Sequence, residues 1–213
     1  MSSRVLKRCV LAAADAVEAS RDELCRLDAG AGDGDHGLTM ALAARAVRQV
    51  VAVSPDASDQ ELVTKVALAM GSVGGACGPI YASGLLAIAT TIRGRPDGPL
   101  TVARMVEFAD AAEHAITALG HARPGDKTIL DALDPVVRAL QDAQASGQSV
   151  GDALTAAAAS AREGTAATAA MIASAGRASR LGERSRGLAD PGASSLALIM
   201  EALASTYARE VGG

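Results

Sequence analysis

Apolar residues recur every three or four positions along most of the chain, and no stretch alternates apolar and polar residues as a half-buried strand does. Over about 3–27, Val5, Leu6, Cys9, Val10, Ala13, Val17, Leu24 and Leu27 fall on one helical face. A glycine-rich loop follows to Gly37, and a second helix runs to about Val53, where Ser54-Pro55 stops it. Ser58 and Glu61 have the spacing of a capping box for a third helix ending near Gly71. Pro79 suits the first turn of a fourth helix, which the loop Arg93 to Pro99 closes. Further helices are expected at about 101–119, 127–146 and 150–175, and an irregular segment, 176–192, leads into an eighth. Eight helices with short connections predict an all-α fold, an antiparallel up-and-down bundle. No linker or low-complexity boundary interrupts it, so residues 1–213 are expected to form a single domain.

Composition sharpens this picture. Apolar residues make up 49% of the chain, yet there is no Trp and one Phe, so the core must be built from Ala, Leu, Val and Ile. Small side chains let helices approach closely, and Ala has the highest helix propensity. Residues 66–92 carry no formal charge and are numerous enough to span a bilayer. Five glycines (Gly71, Gly74, Gly75, Gly78, Gly84) and Pro79 within them point instead to two buried helices joined by a glycine turn, and no membrane partner is expected. Net charge is −4 with no basic block, which gives nucleic-acid binding no support. Cys9, Cys25 and Cys77 are odd in number and widely spaced, which argues against a disulfide framework or a zinc site and fits a reducing cytoplasm. The N-terminal stretch carries Asp15 and Glu18 within its apolar stripe and does not read as a signal peptide.

The segment Asp28-Ala-Gly-Ala-Gly-Asp33-Gly-Asp35-His36-Gly37 places three carboxylates within eight residues, separated by Gly and Ala. Glycine permits the tight turns that bring carboxylates together. Converging carboxylates call for a cation, and an all-oxygen ligand set suits magnesium or calcium. An EF-hand would need Glu at the twelfth loop position, where Thr39 or Ala44 stands. Gly32, Gly34 and Gly37 match GxGxxG, but a dinucleotide fingerprint follows a strand, and this one follows a helix. A solvated Asp/Gly turn between helices remains the plain alternative to a metal site. Three loops place small residues just before a helix: His36-Gly37-Leu38-Thr39, Gly74-Gly75-Ala76-Cys77-Gly78-Pro79, and Asp190-Pro191-Gly192. Helix N-termini favour anions, so carboxylates beside several of them suggest a metal-bridged polyphosphate. There is no GxxxxGK[ST] P-loop. His36 could act as a base, a ligand or a donor to phosphate, or only cap the turn; His114 sits mid-helix and reads as a surface residue. Among Arg177, Arg180, Glu183, Arg184 and Arg186, one Arg near a metal-phosphate site could offset negative charge.

These stretches resemble a known family. LDAGAGDGDHGLTM resembles the aspartate loop of the nucleotide-binding L subunit, or L domain, of dihydroxyacetone kinases. GGACGPIYASGLL, PGDKTILDAL and GRASRLGERSRGLADPGASSLALIMEAL resemble that family's second loop, third motif and C-terminal signature, in family order across most of the chain. The resemblance implies an eight-helix antiparallel barrel with a nucleotide site at one end. It implies that Asp28, Asp33 and Asp35 hold two Mg2+ ions bridging the phosphates of ADP or ATP. His36, Gly37, Leu38 and Thr39 would line the phosphates, and Ala76 and Cys77 would contact the nucleotide. Gly120 and Ile129 would flank base and ribose, Arg177 would meet the phosphates and stabilise the transition state, and Asp190, Pro191 and Gly192 would close the site. Cys77 stands where the family usually has Ser, and Ile129 where Met is frequent.

By the same resemblance, a separate K subunit holds dihydroxyacetone and this chain delivers the phosphoryl group, as part of glycerol metabolism. The absence of a K domain in the chain favours the version in which ADP stays bound and is rephosphorylated by a phosphohistidine protein of the sugar phosphotransferase system. A homodimer is compatible with the resemblance. The alternatives are an ATP-dependent subunit for another short sugar, a regulatory nucleotide-binding module that docks on a transcription factor, and a fatty-acid-kinase-type nucleotide domain.

Overall fold

The computed structural model describes residues 3–30, 32–95 and 98–211. Ala31, Pro96 and Asp97 lie outside them, and with them part of the glycine-rich loop and of the 93–99 loop expected from sequence. The described chain forms α1 (Ser3–Ala19), α2 (Arg21–Ala29), α3 (His36–Ala52), α4 (Asp59–Gly71), α5 (Cys77–Ile92), α6 (Val102–Gly120), α7 (Leu130–Ala145), α8 (Val150–Ala167) and α9 (Pro191–Val211). Tight 3-10 turns at Thr168–Ala170 and Arg177–Ser185 precede α9, and no strand occurs among the described residues.

Consecutive helices pack around a ring. α1 lies on α3, and each helix from α3 to α8 lies on the next. α9 then returns to pack on α1, which closes the ring into the antiparallel barrel expected from sequence. Arg8 of α1 and Glu210 of α9 pair across the closure. Short connections make α3 to α8 alternate in direction, and the contacts of Ser195 with His36 and Tyr81 place the start of α9 with those of α3, α5 and α7.

Small residues carry the contacts between helices. Ala43, Ala132, Ala153, Ala157, Ala161 and Ala193 are buried, as an aromatic-poor core requires. Leu24, Leu62, Leu130 and Val136 fill the larger gaps. Met40, Tyr81, Met105, Ile116, Leu133 and Ile199 line an apolar cavity of about 380 Å³ inside the ring. Among the described residues no helix is long and apolar enough to cross a membrane.

The local signals act as expected at several ends. Ser58 Oγ accepts the Glu61 N–H at 3.3 Å and the Glu61 carboxylate accepts the Ser58 N–H at 3.0 Å, so the capping box forms. Three boundaries differ from the sequence reading. The first helix breaks at Ser20, where the backbone enters the bridge region (φ −94°, ψ 12°) and the chain resumes as α2. α7 begins at Leu130 and not at 127, because Lys127 sits at φ 60° and Asp131 draws the preceding loop around its carboxylate. α8 ends at Ala167 and not near 175, because the Thr168 hydroxyl turns back to the Thr165 carbonyl and the chain tightens to 3-10 geometry.

One close approach depends on a missing side chain. Pro135 inside α7 has no N–H to give the Asp131 carbonyl. Gly164 of α8 packs over that carbonyl, and a Cβ there would run into it and into Pro135. Gly164→Ala is therefore expected to cost about 1–3 kcal/mol of stability by overpacking. Gly151→Ala, near the start of the same helix with only Ser149 Oγ at 3.8 Å, should change stability by less than about 1 kcal/mol. Paired denaturant titrations check this, and equal stability of the two variants would contradict the packing argument.

Candidate functional site

The aspartate loop lies where α2 hands over to α3. Asp28 closes the last turn of α2, and Asp35 precedes the first residue of α3. Gly34 takes φ 77°, and a Cβ on Gly32 would collide with the Asp28 carboxylate. Glycine at 34 thus meets the left-handed backbone of the turn, and glycine at 32 leaves room for the Asp28 carboxylate. As a result Asp28, Asp33 and Asp35 each offer one carboxylate oxygen within 4.8 Å of the others. At about 4 Å two such charges repel by roughly 1 kcal/mol in bulk water and about 4 kcal/mol at an effective dielectric of 20. Two local contacts ease the repulsion. The Arg177 guanidinium pairs with Asp33, and the His36 backbone N–H donates to Asp28 Oδ2 at 3.1 Å. Three oxygen donors of like charge in one cluster fit a hard divalent cation.

Gly37 has a second task beyond its place at the start of α3. A Cβ there would strike the Arg21 carbonyl and Cys25 Sγ, so glycine sets how closely α2 and α3 approach. Thr39 is buried and faces the second loop, with its hydroxyl 3.7 Å from the Cβ position of Gly75. Ala76 caps α5, and Cys77 opens it close enough for the charges of Asp28 and Asp35 to act on its thiol. Burial is the larger cause raising the Cys77 pKa, so this thiol stays protonated and is not an activated nucleophile. Leu38, in the first turn of α3, is 53% exposed and points outward.

The C-terminal segment joins from the other side. Asp190 precedes α9, and its Oδ1 accepts the Ala193 N–H at 2.7 Å. Pro191 is the first residue of α9, and Gly192 lies against Ile129, with 3.6 Å from its Cβ position to Ile129 Cβ. Gly120 ends α6 with open space above its Cα. The starts of α3, α5, α7 and α9 thus meet at one end of the barrel, each with the positive pole of a helix dipole. His114 is exposed, and its Nδ1 lies 2.7 Å from the Asp110 carbonyl oxygen of its own helix, as its mid-helix position implied.

Beneath this end lies a set of polar residues in which Asp190 and His36, expected from sequence, join Lys127, Asp131, Thr168, Tyr81 and Ser195, which the sequence reading did not single out. Lys127 Nζ donates to the carbonyls of Thr168 and Leu188, at 2.6 and 2.7 Å. The Asp131 carboxylate accepts the N–H groups of Gly125 and Thr128, at 2.5 and 2.7 Å. The Asp190 N–H donates to Thr168 Oγ1 at 2.8 Å. Together they tie the loop before α7 to the segment before α9. His36 Nε2 lies 3.0 Å from Ser195 Oγ, which lies 2.8 Å from the Tyr81 hydroxyl. Polar residues inside otherwise apolar helical stretches were the available signal for Tyr81 and Ser195.

The DAK2 domain matches residues 30–205. The chain belongs to the DAK2 domain family. It is 37% identical over 205 residues to the PEP-dependent dihydroxyacetone kinase ADP-binding subunit DhaL of Escherichia coli, covering 93% of this chain and 92% of that one. It is 36% identical to the L-erythrulose kinase of Pectobacterium atrosepticum over 96% of this chain. There it spans 35% of the relative's length, so this DAK2 chain corresponds to about a third of such kinases. The crystal structure of the dihydroxyacetone kinase of C. freundii superposes with a TM-score of 0.74 at 26% identity, covering 96% of this chain and 35% of that one. A second structure of that kinase, in complex with AMP-PNP and Mg2+, superposes at 0.73 and 25% identity.

Electrostatics at the end of the barrel yield a pH signature. Burial raises the Asp190 carboxyl to about 7; the Asp131 charge adds to this, while the Ala193 N–H and Lys127 oppose it. The folded protein therefore binds a proton that the unfolded chain has released over roughly pH 4 to 7, and stability falls as pH rises through that window. Asp190→Asn removes this contribution and keeps an oxygen for the Ala193 N–H. In chelator-treated protein the variant's melting temperature should drop less than wild type between about pH 5 and about pH 8. Parallel pH profiles for the two proteins would contradict the assignment.

Proposed function

We propose that the chain is the nucleotide-binding part of a dihydroxyacetone-kinase-type phosphotransferase. It holds magnesium-bound ADP or ATP and passes a phosphoryl group to a short ketose held on a separate K subunit. The convergence of Asp28, Asp33 and Asp35 within 4.8 Å, at the end where four helices begin, carries this reading. The family relationship supports it, since the matched subunit of Escherichia coli is named as ADP-binding and a matched kinase structure is in complex with AMP-PNP and Mg2+.

In this reading the three carboxylates hold the divalent ions, two by the family pattern, and the ions supply charge neutralisation on the phosphates. The chain's own groups do the rest. His36, Gly37, Leu38 and Thr39 line the phosphates at the start of α3, where Gly37 and Leu38 offer backbone N–H groups while those of His36 and Thr39 stay on Asp28 and the Asp35 carbonyl. Ala76 and Cys77 contribute the start of α5. The Cys77 backbone N–H serves there whatever its side chain, so a thiol in place of a hydroxyl removes at most one donor. Ile129 and Gly120 flank the base and ribose, and Asp190, Pro191 and Gly192 close the site. Arg177 exchanges its contact with Asp33 for the phosphate oxygens, where a guanidinium favours the charge of the transition state. Phosphoryl transfer needs alignment and charge compensation more than a protein base, and this arrangement provides both.

Residues 1–213 work as a single domain in this proposal. The relatives that the chain covers almost end to end are named as ADP-binding subunits of PEP- or PTS-dependent enzymes. They support ADP as a retained coenzyme, recharged by a phosphohistidine protein of the phosphotransferase system. Equal similarity to erythrulose kinases leaves the acceptor defined as a ketose of three or four carbons.

Asp33→Ala is expected to weaken ADP binding in the presence of magnesium by at least about 100-fold, with helicity unchanged, because removing one charged ligand typically costs a few kcal/mol. Calorimetry with ADP and Mg2+, alongside circular dichroism, tests this. Unchanged affinity in the variant would remove the metal assignment and the kinase reading with it.

A further inference from the structure

Three buried polar side chains from three different helices meet directly below the aspartate loop. Ser195 on α9 is fully buried, and its hydroxyl lies within hydrogen-bonding distance of Tyr81 Oη on α5 (2.8 Å), His36 Nε2 on α3 (3.0 Å) and the Gly192 carbonyl one turn back (3.0 Å). His36 continues the path, since its backbone N–H donates to Asp28 Oδ2 at 3.1 Å. Hydrogen bonds thus tie Tyr81 and Ser195 to the ring of His36, and the backbone N–H of the same residue to a carboxylate of the acidic cluster.

The proton count gives the chain a direction. The Gly192 carbonyl can only accept, and Ser195 has a single proton to give. If Ser195 gives it to Gly192, its two lone pairs accept the Tyr81 O–H and the His36 Nε2–H, and all three contacts are made. Any other assignment leaves one of the three contacts without a proton. The geometry thus places a proton on His36 Nε2, where Ser195 Oγ accepts it.

We propose that Tyr81 and Ser195 are positioning residues for metal-nucleotide binding, holding His36 as the Nε2–H tautomer and through it fixing Asp28 and the start of α3 relative to the starts of α5 and α9. The proposal rests on the nucleotide reading of this site. Tyr81 and Ser195 touch neither ion nor nucleotide in this arrangement, and both act through His36. Their contribution is therefore serial. Loss of Ser195 Oγ disconnects Tyr81 entirely, so the two substitutions cannot add.

The test compares wild type, Tyr81→Phe, Ser195→Ala and the double variant by calorimetry with ADP over a range of Mg2+ concentrations. Ser195→Ala should raise the Mg2+ concentration for half-maximal ADP binding about tenfold, the scale of one net hydrogen bond of about 1.4 kcal/mol. Tyr81→Phe should raise it about threefold, and the double variant should match Ser195→Ala. Long-range 15N NMR of the imidazoles gives a readout in ligand-free protein. The chain has three histidines, and the signal lost in His36→Gln identifies the one concerned. Wild type should show the Nε2–H tautomer and Ser195→Ala a mixture of tautomers. Variants that melt earlier yet keep wild-type Mg2+ and ADP affinity and an unchanged tautomer would overturn the proposal, as would additive effects in the double variant. Wild-type protein that binds no ADP at all would instead bring down the nucleotide reading and the proposal with it.

Discussion

Like charges held close together set the terms for this molecule. Asp28, Asp33 and Asp35 bring carboxylate oxygens within 4.8 Å of one another, and counter-charge eases their mutual repulsion. The fold supplies part of it. Arg177 reaches across from the segment before α9 to Asp33, the His36 N–H serves Asp28, and four helix N-termini face the same end. A closed ring of antiparallel helices suits this purpose, because alternate helices must start at one end and their dipoles then reinforce one another. The acidic turn and the barrel are thus two sides of one electrostatic arrangement, with bound cations and phosphates as its natural complement.

Glycine and alanine make the arrangement possible in a chain with almost no aromatic residues. Gly32 and Gly34 let the turn close, Gly37 lets α3 slide against α2, and Gly164 receives the carbonyl that Pro135 leaves free. A second layer of buried polar contacts holds the loops in place below the surface. Lys127, Asp131 and Asp190 join the loop before α7 to the segment before α9. Tyr81, Ser195 and His36 join α5, α9 and α3. Buried polar groups in such a place are costly when unpaired, and each of these side chains has at least one hydrogen-bond partner.

Much of this was legible in the sequence. Helical periodicity and short connections are local properties, so the helices, their alternation and the capping box at Ser58 followed from them. The acidic turn was legible for the same reason, since its carboxylates are neighbours along the chain. Boundaries set by long-range contacts were not. The late start of α7 depends on Asp131 folding the preceding loop around itself, and the early end of α8 on Thr168 engaging both Thr165 and Asp190. Tyr81 and Ser195 were hidden because they are 114 residues apart, and spacing carries no signal for a contact across the ring.

The most direct test of the central claim is a crystal structure of the protein with ADP and Mn2+, with anomalous differences measured at the manganese edge. The account predicts anomalous peaks among the carboxylates of Asp28, Asp33 and Asp35, each also touching a phosphate oxygen of ADP at the start of α3. A map without peaks there, with the three side chains turned apart into solvent, would contradict it.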